Sequence, residues 1–227
     1  MTKAAIILSG CGVFDGSEIH EAVSVLIHLS RHGAQAECFA PDGAQPQVIN
    51  HLTGQTAPGE TRNMLVEAAR IARGRIRPLR ELHAADFDAV FFPGGFGAAK
   101  NLSSFATQGA ECSVLPEVER VLREFRDAGK PIAMCCIAPV IAARVFGTRS
   151  GGPGCAVTIG DDRSTAAALG AMGARHVSKG VTQALVDEAN NLVTSPAYMH
   201  AAPIHEVYEG IGEMVDRTLS LVGAATR

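Results

Sequence analysis

The stretch Lys130 to Ala143 (KPIAMCCIAPVIAA) constrains the fold of this chain more than any other. A short apolar run, bounded by Gly129-Lys130-Pro131, reads as a buried strand. It passes with no polar linker into an Ala-rich segment that reads as a helix, with Pro139 tolerated in the first turn. A chain that runs from strand straight into helix must reverse sharply, and the residue at the turn projects at the strand's C-terminal edge. Cys136 stands there, with the small Ala138 two positions on. That is the layout of a nucleophile elbow, with sulfur in place of a hydroxyl. Helix dipole and free N–H groups at such a position favour thiolate, so a lowered thiol pKa is expected. The alternative is two small core cysteines, since free Cys is among the most buried residue types.

The remaining segments supply the partners of that strand and helix. Ala4–Leu8 reads as a first buried strand closed by Ser9-Gly10-Cys11-Gly12, and Asp15-Gly16-Ser17 offers N-caps for a helix from about Glu18 to Arg31. That helix carries an apolar stripe of Ile19, Ala22, Val23, Val25, Leu26, Ile27 and Leu29 suited to covering a sheet, with His20, Ser24, His28 and Arg31 on the solvated face. Glu21 falls at the edge of the stripe. It is either a dipole-favoured surface acid or a carboxylate facing the strand tips. Strands follow at Gln35–Ala40, Arg75–Leu79 and Ala89–Phe92, the last ending in the Gly-rich turn Pro93–Gly97. Between the first two, Pro41–Glu60 is long enough to be functional or to carry a small element of its own. A helix capped by Thr61 runs to Arg73, and an amphipathic one spans Pro116–Asp127; Asn101–Cys112 between the strands and that helix reads as polar and irregular. Beyond the elbow helix come the breaker Thr148–Gly154, a strand at Cys155–Ile159 and a helix at Arg163–Met172. Short strands follow at His176-Val177, Gln183–Val186 and Leu192–Thr194, and the last helix is Pro203 to about Val222.

Strands alternating with helices and buried on both faces make an α/β three-layer sandwich with a mostly parallel sheet, expected as one domain over 1–227. Ligands of such sheets bind outside the carboxyl ends of the strands, where Gly10-Cys11-Gly12, Pro93-Gly94-Gly95 and Cys136 all fall. A thiol attacking a carbonyl there needs N–H donors for the oxyanion, which Gly95 and Ile137 can supply, and a proton shuttle, for which Glu21 is the candidate. For Glu21 to hold a proton against sulfur, burial must raise its pKa. Gly94, Cys11 and His20 are further pocket candidates. Cys11 is either a small loop residue or a second thiol facing Cys136, and His20 is a surface residue or the edge of the site.

Composition narrows the function classes. A net charge of −3 with mixed signs, no Trp and 5% aromatic residues leave no footprint for nucleic acid or acidic lipid. The apolar runs fall well short of the roughly 18 residues of a membrane span. Six unevenly spaced cysteines without a CxxC pair fit neither a disulfide framework nor a zinc site; they read as the reduced thiols of a cytoplasmic protein. His200 and His205 miss the i, i+4 spacing of a helical metal pair, so no metal and no cofactor is expected.

Gly16–Val23, Pro93–Gly95 and Cys136–Pro139 resemble the ThiJ/PfpI superfamily of class I glutamine-amidotransferase-like proteins. More narrowly, Leu8–Glu21, Val48–Gly54, Pro93–Leu102 and Ser195–Met199 resemble the ElbB family, glyoxalase III-like and associated with isoprenoid biosynthesis. The resemblance implies a flavodoxin-like core, the elbow Cys at Cys136, the superfamily acid at Glu21 and a homodimer. It also implies glutathione-independent conversion of small aldehydes, methylglyoxal or glyoxal, to hydroxy acids. Two positions depart from the pattern. Gly147–Asp162 holds no His where many members place one, which speaks against amidase chemistry. Met134 stands where small residues are common and is expected to narrow the pocket. The rival expectation is a redox or carbonyl-stress sensor or regulatory protein with an oxidisable Cys136 and little turnover, for which Cys11 is a candidate resolving thiol.

Overall fold

The computed structural model describes residues 1–225. In chain order its elements begin with β1 (Lys3–Ile7), α1 (Ile19–Arg31), β2 (Gln35–Ala40), β3 (Ile49–Asn50), β4 (Gln55–Thr56), α2 (Met64–Ile71), β5 (Ile76–Pro78) and β6 (Ala89–Phe92). Then come α3 (Phe96–Lys100), α4 (Phe105–Gln108), α5 (Pro116–Asp127), β7 (Ile132–Cys135), α6 (Pro139–Phe146) and β8 (Ala156–Val157). The rest is α7 (Arg163–Ala171), β9 (Arg175–His176), β10 (Leu185–Asp187), β11 (Leu192–Ser195) and α8 (Ile204–Ala225).

Seven strands form the central sheet in the order β10-β11-β7-β6-β1-β2-β5, flavodoxin-like and parallel except for the β10–β11 hairpin. From β1 the chain winds outward through β2 to β5, then returns across the sheet to β6 on the other side of β1. The strand order therefore reverses between β1 and β6, which is where an open α/β sheet leaves a crevice at its carboxyl edge. Pro78 falls on the edge strand, where its missing N–H breaks no ladder.

Strict alternation along the strands builds two cores. Ala4, Ile6, Phe91, Ala133 and Cys135 face Ala22, Val25 and Leu29 of α1 and Val207, Ile211 and Met214 of α8. Ala5, Ile7, Val90, Phe92, Ile132 and Met134 face α5 and α6 through residues such as Val121, Phe125, Ile141 and Phe146. Phe91, Phe92, Phe125 and Phe146 are fully buried, each contributing on the order of 2–3 kcal/mol of transfer free energy.

Several local expectations change. On α1 the buried face is Glu21, Ala22, Ser24, Val25, His28 and Leu29, while Ile19, Val23 and Ile27 are exposed. The reason is α8, which lies against α1 and presents polar partners: His28 bonds the Tyr208 carbonyl (3.0 Å) and its ring stacks on Tyr208 at 4.2 Å. The α1 cap is Glu18 rather than the preceding triplet, because Ser17 Oγ accepts the Ser9 N–H and Asp15 Oδ2 accepts the Ile49 N–H. Asn63, not Thr61, caps α2. The long connection carries the small β3–β4 hairpin, β8 pairs with β9 in a separate two-stranded sheet, and α4 forms inside the stretch expected to be irregular.

Candidate active site

At the end of β7 the backbone turns through Cys136 at φ +58°, left-handed for a residue with a Cβ. That conformation costs roughly 1–2 kcal/mol and persists where the surroundings impose it. Here they do: the Cys136 N–H is held by the Ser195 carbonyl at the end of β11 (3.0 Å), and the Ala138 N–H by the Cys135 carbonyl (3.1 Å). The turn aims the thiol across the sheet edge toward the end of β6 and the first turn of α1.

The turn after β6 is shaped around that thiol. A Cβ on Gly94 would lie 2.4 Å from Cys136 Cβ and 2.7 Å from Glu21 Oε2, so any side chain there would part the pair. Gly95, at φ +93°, brings its N–H to the Cys136 sulfur, as Ile137 does from the other side. The same turn seats α1, whose Glu18 N–H donates to the Gly94 carbonyl (2.9 Å).

Glu21 is fully buried, which decides between the two placements its sequence position allowed. Its Oε2 accepts the Gly94 N–H at 2.9 Å, and its Oε1 accepts the Tyr198 N–H at 3.3 Å. Both thiols of the Cys135-Cys136 pair reach it: Cys135 Sγ lies 3.7 Å from Oε2, and Cys136 hydrogen-bonds the same carboxyl. Burial first, then the charge of Glu18, raises the Glu21 pKa to about 7 against backbone and thiol hydrogen bonds that lower it. The Cys136 thiol is also pushed well up, by burial and then by Glu21, with the Gly95 and Ile137 N–H groups pulling the other way. This reverses the expectation of a lowered thiol pKa. The elbow thiol is buried beside a carboxyl at the floor of the site rather than at a solvated helix start, and burial outweighs the amides. Near neutral pH the Cys136–Glu21 pair thus titrates as a unit between two protons and one.

The structure therefore brings Cys136, Glu21, Gly94, Gly95 and Ile137 together. It does not bring Cys11 to Cys136. The loop curls back through a Gly12 N–H to Ser17 carbonyl bond (2.9 Å), and the charged surroundings of Cys11 are Glu67 and Arg70 of α2 with Asp15 and Arg62. His20 is exposed and acts at the rim, where its Nδ1 meets the Tyr198 hydroxyl at 2.9 Å. Met134 points into the opposite core and does not narrow the pocket. His51 braces the loop before α1: it accepts the Phe14 N–H (3.1 Å) through Nε2 while Nδ1 meets the Ile49 carbonyl at 3.1 Å. Among the described residues no group of three or more His, Cys, Asp or Glu is placed to hold a metal ion.

Above Cys136 opens a cavity of about 470 Å³. Val13, Phe96, Ala99, Phe105, Ile137 and Met199 form apolar wall, and Glu18, Asp162, Ser164, Thr165 and Tyr198 are its polar groups. None of these five was named as a site candidate from the sequence, although Glu18 and Tyr198 lie in stretches that carry the resemblance and two of the five carry local signals that could be read. Asp162 begins an Asp-x-Ser-Thr cap, its carboxylate accepting the Thr165 N–H at 2.7 Å, and Tyr198 follows the end of β11 by three residues.

No protein-family model matches the chain. It is 52% identical over 230 residues to the human protein named glutamine amidotransferase-like class 1 domain-containing protein 3, mitochondrial, with 97% of this chain and 84% of that one covered. The rat ES1 protein homolog, mitochondrial, matches with 52% identity over 230 residues and the same coverage of 97% and 84%. A crystal structure of an isoprenoid biosynthesis protein with amidotransferase-like domain from Ehrlichia chaffeensis superposes with a TM-score of 0.90 at 37% identity, covering 97% of this chain and 99% of that one. Drosophila melanogaster DJ-1beta shares the fold alone, with a TM-score of 0.54 at 19% identity over 99% of this chain and 97% of that one. The architecture is the amidotransferase-like fold of the DJ-1, ThiJ and PfpI proteins. The names of the curated relatives overturn the cytoplasmic expectation, since they are mitochondrial proteins. Unpaired thiols fit any reducing compartment and do not tell one from another.

Proposed function

We propose a function from one premise: the chain belongs to the family of glutamine amidotransferase-like class 1 domain-containing, ES1-type proteins. Within it the chain is a cofactor-independent, glyoxalase III-like enzyme of the ElbB type that converts 2-oxoaldehydes such as methylglyoxal and glyoxal to hydroxy acids. Similarity to the Ehrlichia isoprenoid biosynthesis protein supports the ElbB assignment, and kinship with the human and rat proteins supports a mitochondrial setting.

One observation carries the chemistry: a fully buried carboxyl that ionises near neutral pH touches the elbow thiol, with two backbone N–H groups on the same sulfur. Cys136 sulfur adds to the aldehyde carbon as its proton passes to the Glu21 carboxylate, and the Gly95 and Ile137 N–H groups take up the developing oxyanion. Glu21 returns that proton to the oxygen, which leaves a hemithioacetal. As carboxylate again, it removes the hydrogen of the former aldehyde carbon as a proton. It delivers that proton to the neighbouring carbon while the hydroxyl proton moves to the neighbouring oxygen. The first carbon is thereby oxidised to a thioester and the second reduced to a carbinol, so no external oxidant or reductant enters. Water then cleaves the C–S bond, releasing the hydroxy acid and restoring the thiol.

Glutamine hydrolysis is not expected, because the cavity lining has no imidazole to protonate a leaving amine. The sensor alternative loses Cys11 as a resolving thiol, since it lies toward α2, and rests on oxidation of Cys136 alone. The test is lactate formation from methylglyoxal without glutathione. Activity in the wild type and its loss in Cys136→Ala are expected; equal turnover in the two would refute the mechanism.

A further inference from the structure

The cavity is far larger than the substrate named above requires. At about 30 Å³ per water, its 470 Å³ holds roughly fifteen waters, and methylglyoxal displaces only a few of them. The volume is that of a site for a ligand of drug size, with most of the wall built from apolar side chains. A three-carbon substrate would leave that wall wetted and the enediol open to water, whereas a longer tail would fill it.

The charge of the lining is equally selective. It contains two carboxyl groups, Glu18 and Asp162, and no Lys, Arg or His. Asp162 is held ionised, its pKa lowered by hydrogen bonds from the Thr165 N–H, the Thr165 side chain and Ser164. Lys100, which lies over the Phe96 ring at 5.3 Å, donates to the Phe14 carbonyl at 3.1 Å and does not line the cavity. An anionic substrate, the hemithioacetal of glutathione included, would meet like charge with no cation in the lining itself to pair with.

Resting on the 2-oxoaldehyde reading of the site, the geometry points to a narrower substrate class: neutral 2-oxoaldehydes with an apolar tail several carbons long, with carboxylated and phosphorylated aldehydes excluded. Each methylene buried against the wall raises kcat/KM roughly fourfold over the first few carbons. A carboxylate at the end of a chain of the same length lowers it at least about tenfold.

The experiment measures kcat/KM on the wild type for methylglyoxal, 2-oxopentanal, 2-oxoheptanal and 4,5-dioxopentanoate. A rise along the neutral series, with the carboxylated aldehyde poorest, is the expected result. A flat or falling series, or 4,5-dioxopentanoate turned over as well as 2-oxopentanal, overturns the proposal. Ser164→Arg, at the exposed rim of the cavity, should recover the anionic substrate relative to the neutral one; no change in that ratio counts against the charge argument. If no 2-oxoaldehyde is turned over, the catalytic reading fails, and the substrate class is tested separately by labelling Cys136. Intact-mass labelling rates with methyl vinyl ketone, hexyl vinyl ketone and a carboxyalkyl vinyl ketone are then each divided by the rate with a free thiol. Preference for the hexyl reagent over the other two supports the inference, and equal normalised rates refute it.

Discussion

Replacing Glu21 by Gln should change how the stability of the protein depends on pH more than it changes the stability at any one pH. The folded state holds the Glu21 proton to about pH 7, whereas an exposed glutamate releases it near 4.5. The native state therefore binds the proton more tightly than the unfolded one. The stabilisation from that excess proton is complete below about pH 4.5 and is lost as pH rises through 7. At about 1.4 kcal/mol per pH unit the full effect is about 3.5 kcal/mol, of which about 2.5 kcal/mol falls between pH 5 and pH 8. Gln carries no such proton. It has a fixed cost instead, since its amide nitrogen must face either the Gly94 or the Tyr198 N–H that now meets a carboxyl oxygen, an unmade bond worth roughly 1–3 kcal/mol. Urea titrations followed by circular dichroism at pH 5, 6, 7 and 8 separate the two terms. The Gln variant should be the weaker protein at pH 5 and should gain about 2.5 kcal/mol on the wild type by pH 8. A difference that stays constant across that range would show that Glu21 is not held protonated by burial, and the proton-shuttle argument would fall with it.

Turnover of a 2-oxoaldehyde should rise with pH along an acid limb centred near 7, because Glu21 must be ionised to take the thiol proton; a pH-independent kcat/KM between 5.5 and 8 contradicts this. In the Glu21→Gln variant Cys136 should alkylate faster with iodoacetamide at pH 8 although turnover is lost, since the carboxylate is, after burial, the next cause of the raised thiol pKa; slower alkylation would reverse that assignment. Cys136→Gly should be about 1 kcal/mol more stable than Cys136→Ala in a urea titration, as glycine alone adopts φ +58° freely; equal stabilities would deny strain at the elbow. Gly94→Ala should lose about 1–3 kcal/mol and at least about a hundredfold in kcat/KM, because its methyl group must displace Cys136 or Glu21.

What the sequence made legible was its local grammar. The strand-turn-helix at Cys136 and the Gly-rich ends of β1 and β6 follow from residue types and from the rule that parallel sheets bind ligands at their carboxyl edge. What stayed hidden depended on distant partners. Hydrophobic periodicity placed Ile19, Val23 and Ile27 against the sheet and Ser24 and His28 in solvent, but α8 covers the other arc and supplies the Tyr208 carbonyl to His28. Glu21 reads as an ordinary first-turn acid until Gly94 and Tyr198, 73 and 177 positions away, close on it. The Asp162–Thr165 wall belongs to a helix after an excursion loop, and only the three-dimensional course of that loop carries it over the elbow.

The clearest failure of local reasoning falls at the elbow residue Cys136, and its cause is instructive. Period-two counting assigns Met134 and Cys136 to one face of β7 and Cys135 to the other. The positive φ at Cys136 ends the alternation one residue early, so Cys135 and Cys136 both join the α1 side of the sheet while Met134 enters the opposite core. Two thiols thereby flank one buried carboxyl, at a combined cost in strain and desolvation of several kcal/mol. A point so unfavourable holds only if its flanks are rigid, and they are. Ser9 and Ser17 bond each other, Asn101 spans the Ser9 and Asp15 carbonyls (2.7 and 2.8 Å), and Gln45 adds a second donor to Asp15 (2.8 Å). This network fixes the loop that leads from β1 into α1, and with it the position of Glu21 against the sulfur. The stability the fold gives up at the elbow is recovered in this polar brace and the two cores, which is why local rules break at Cys136 and Glu21 while the sheet around them obeys them.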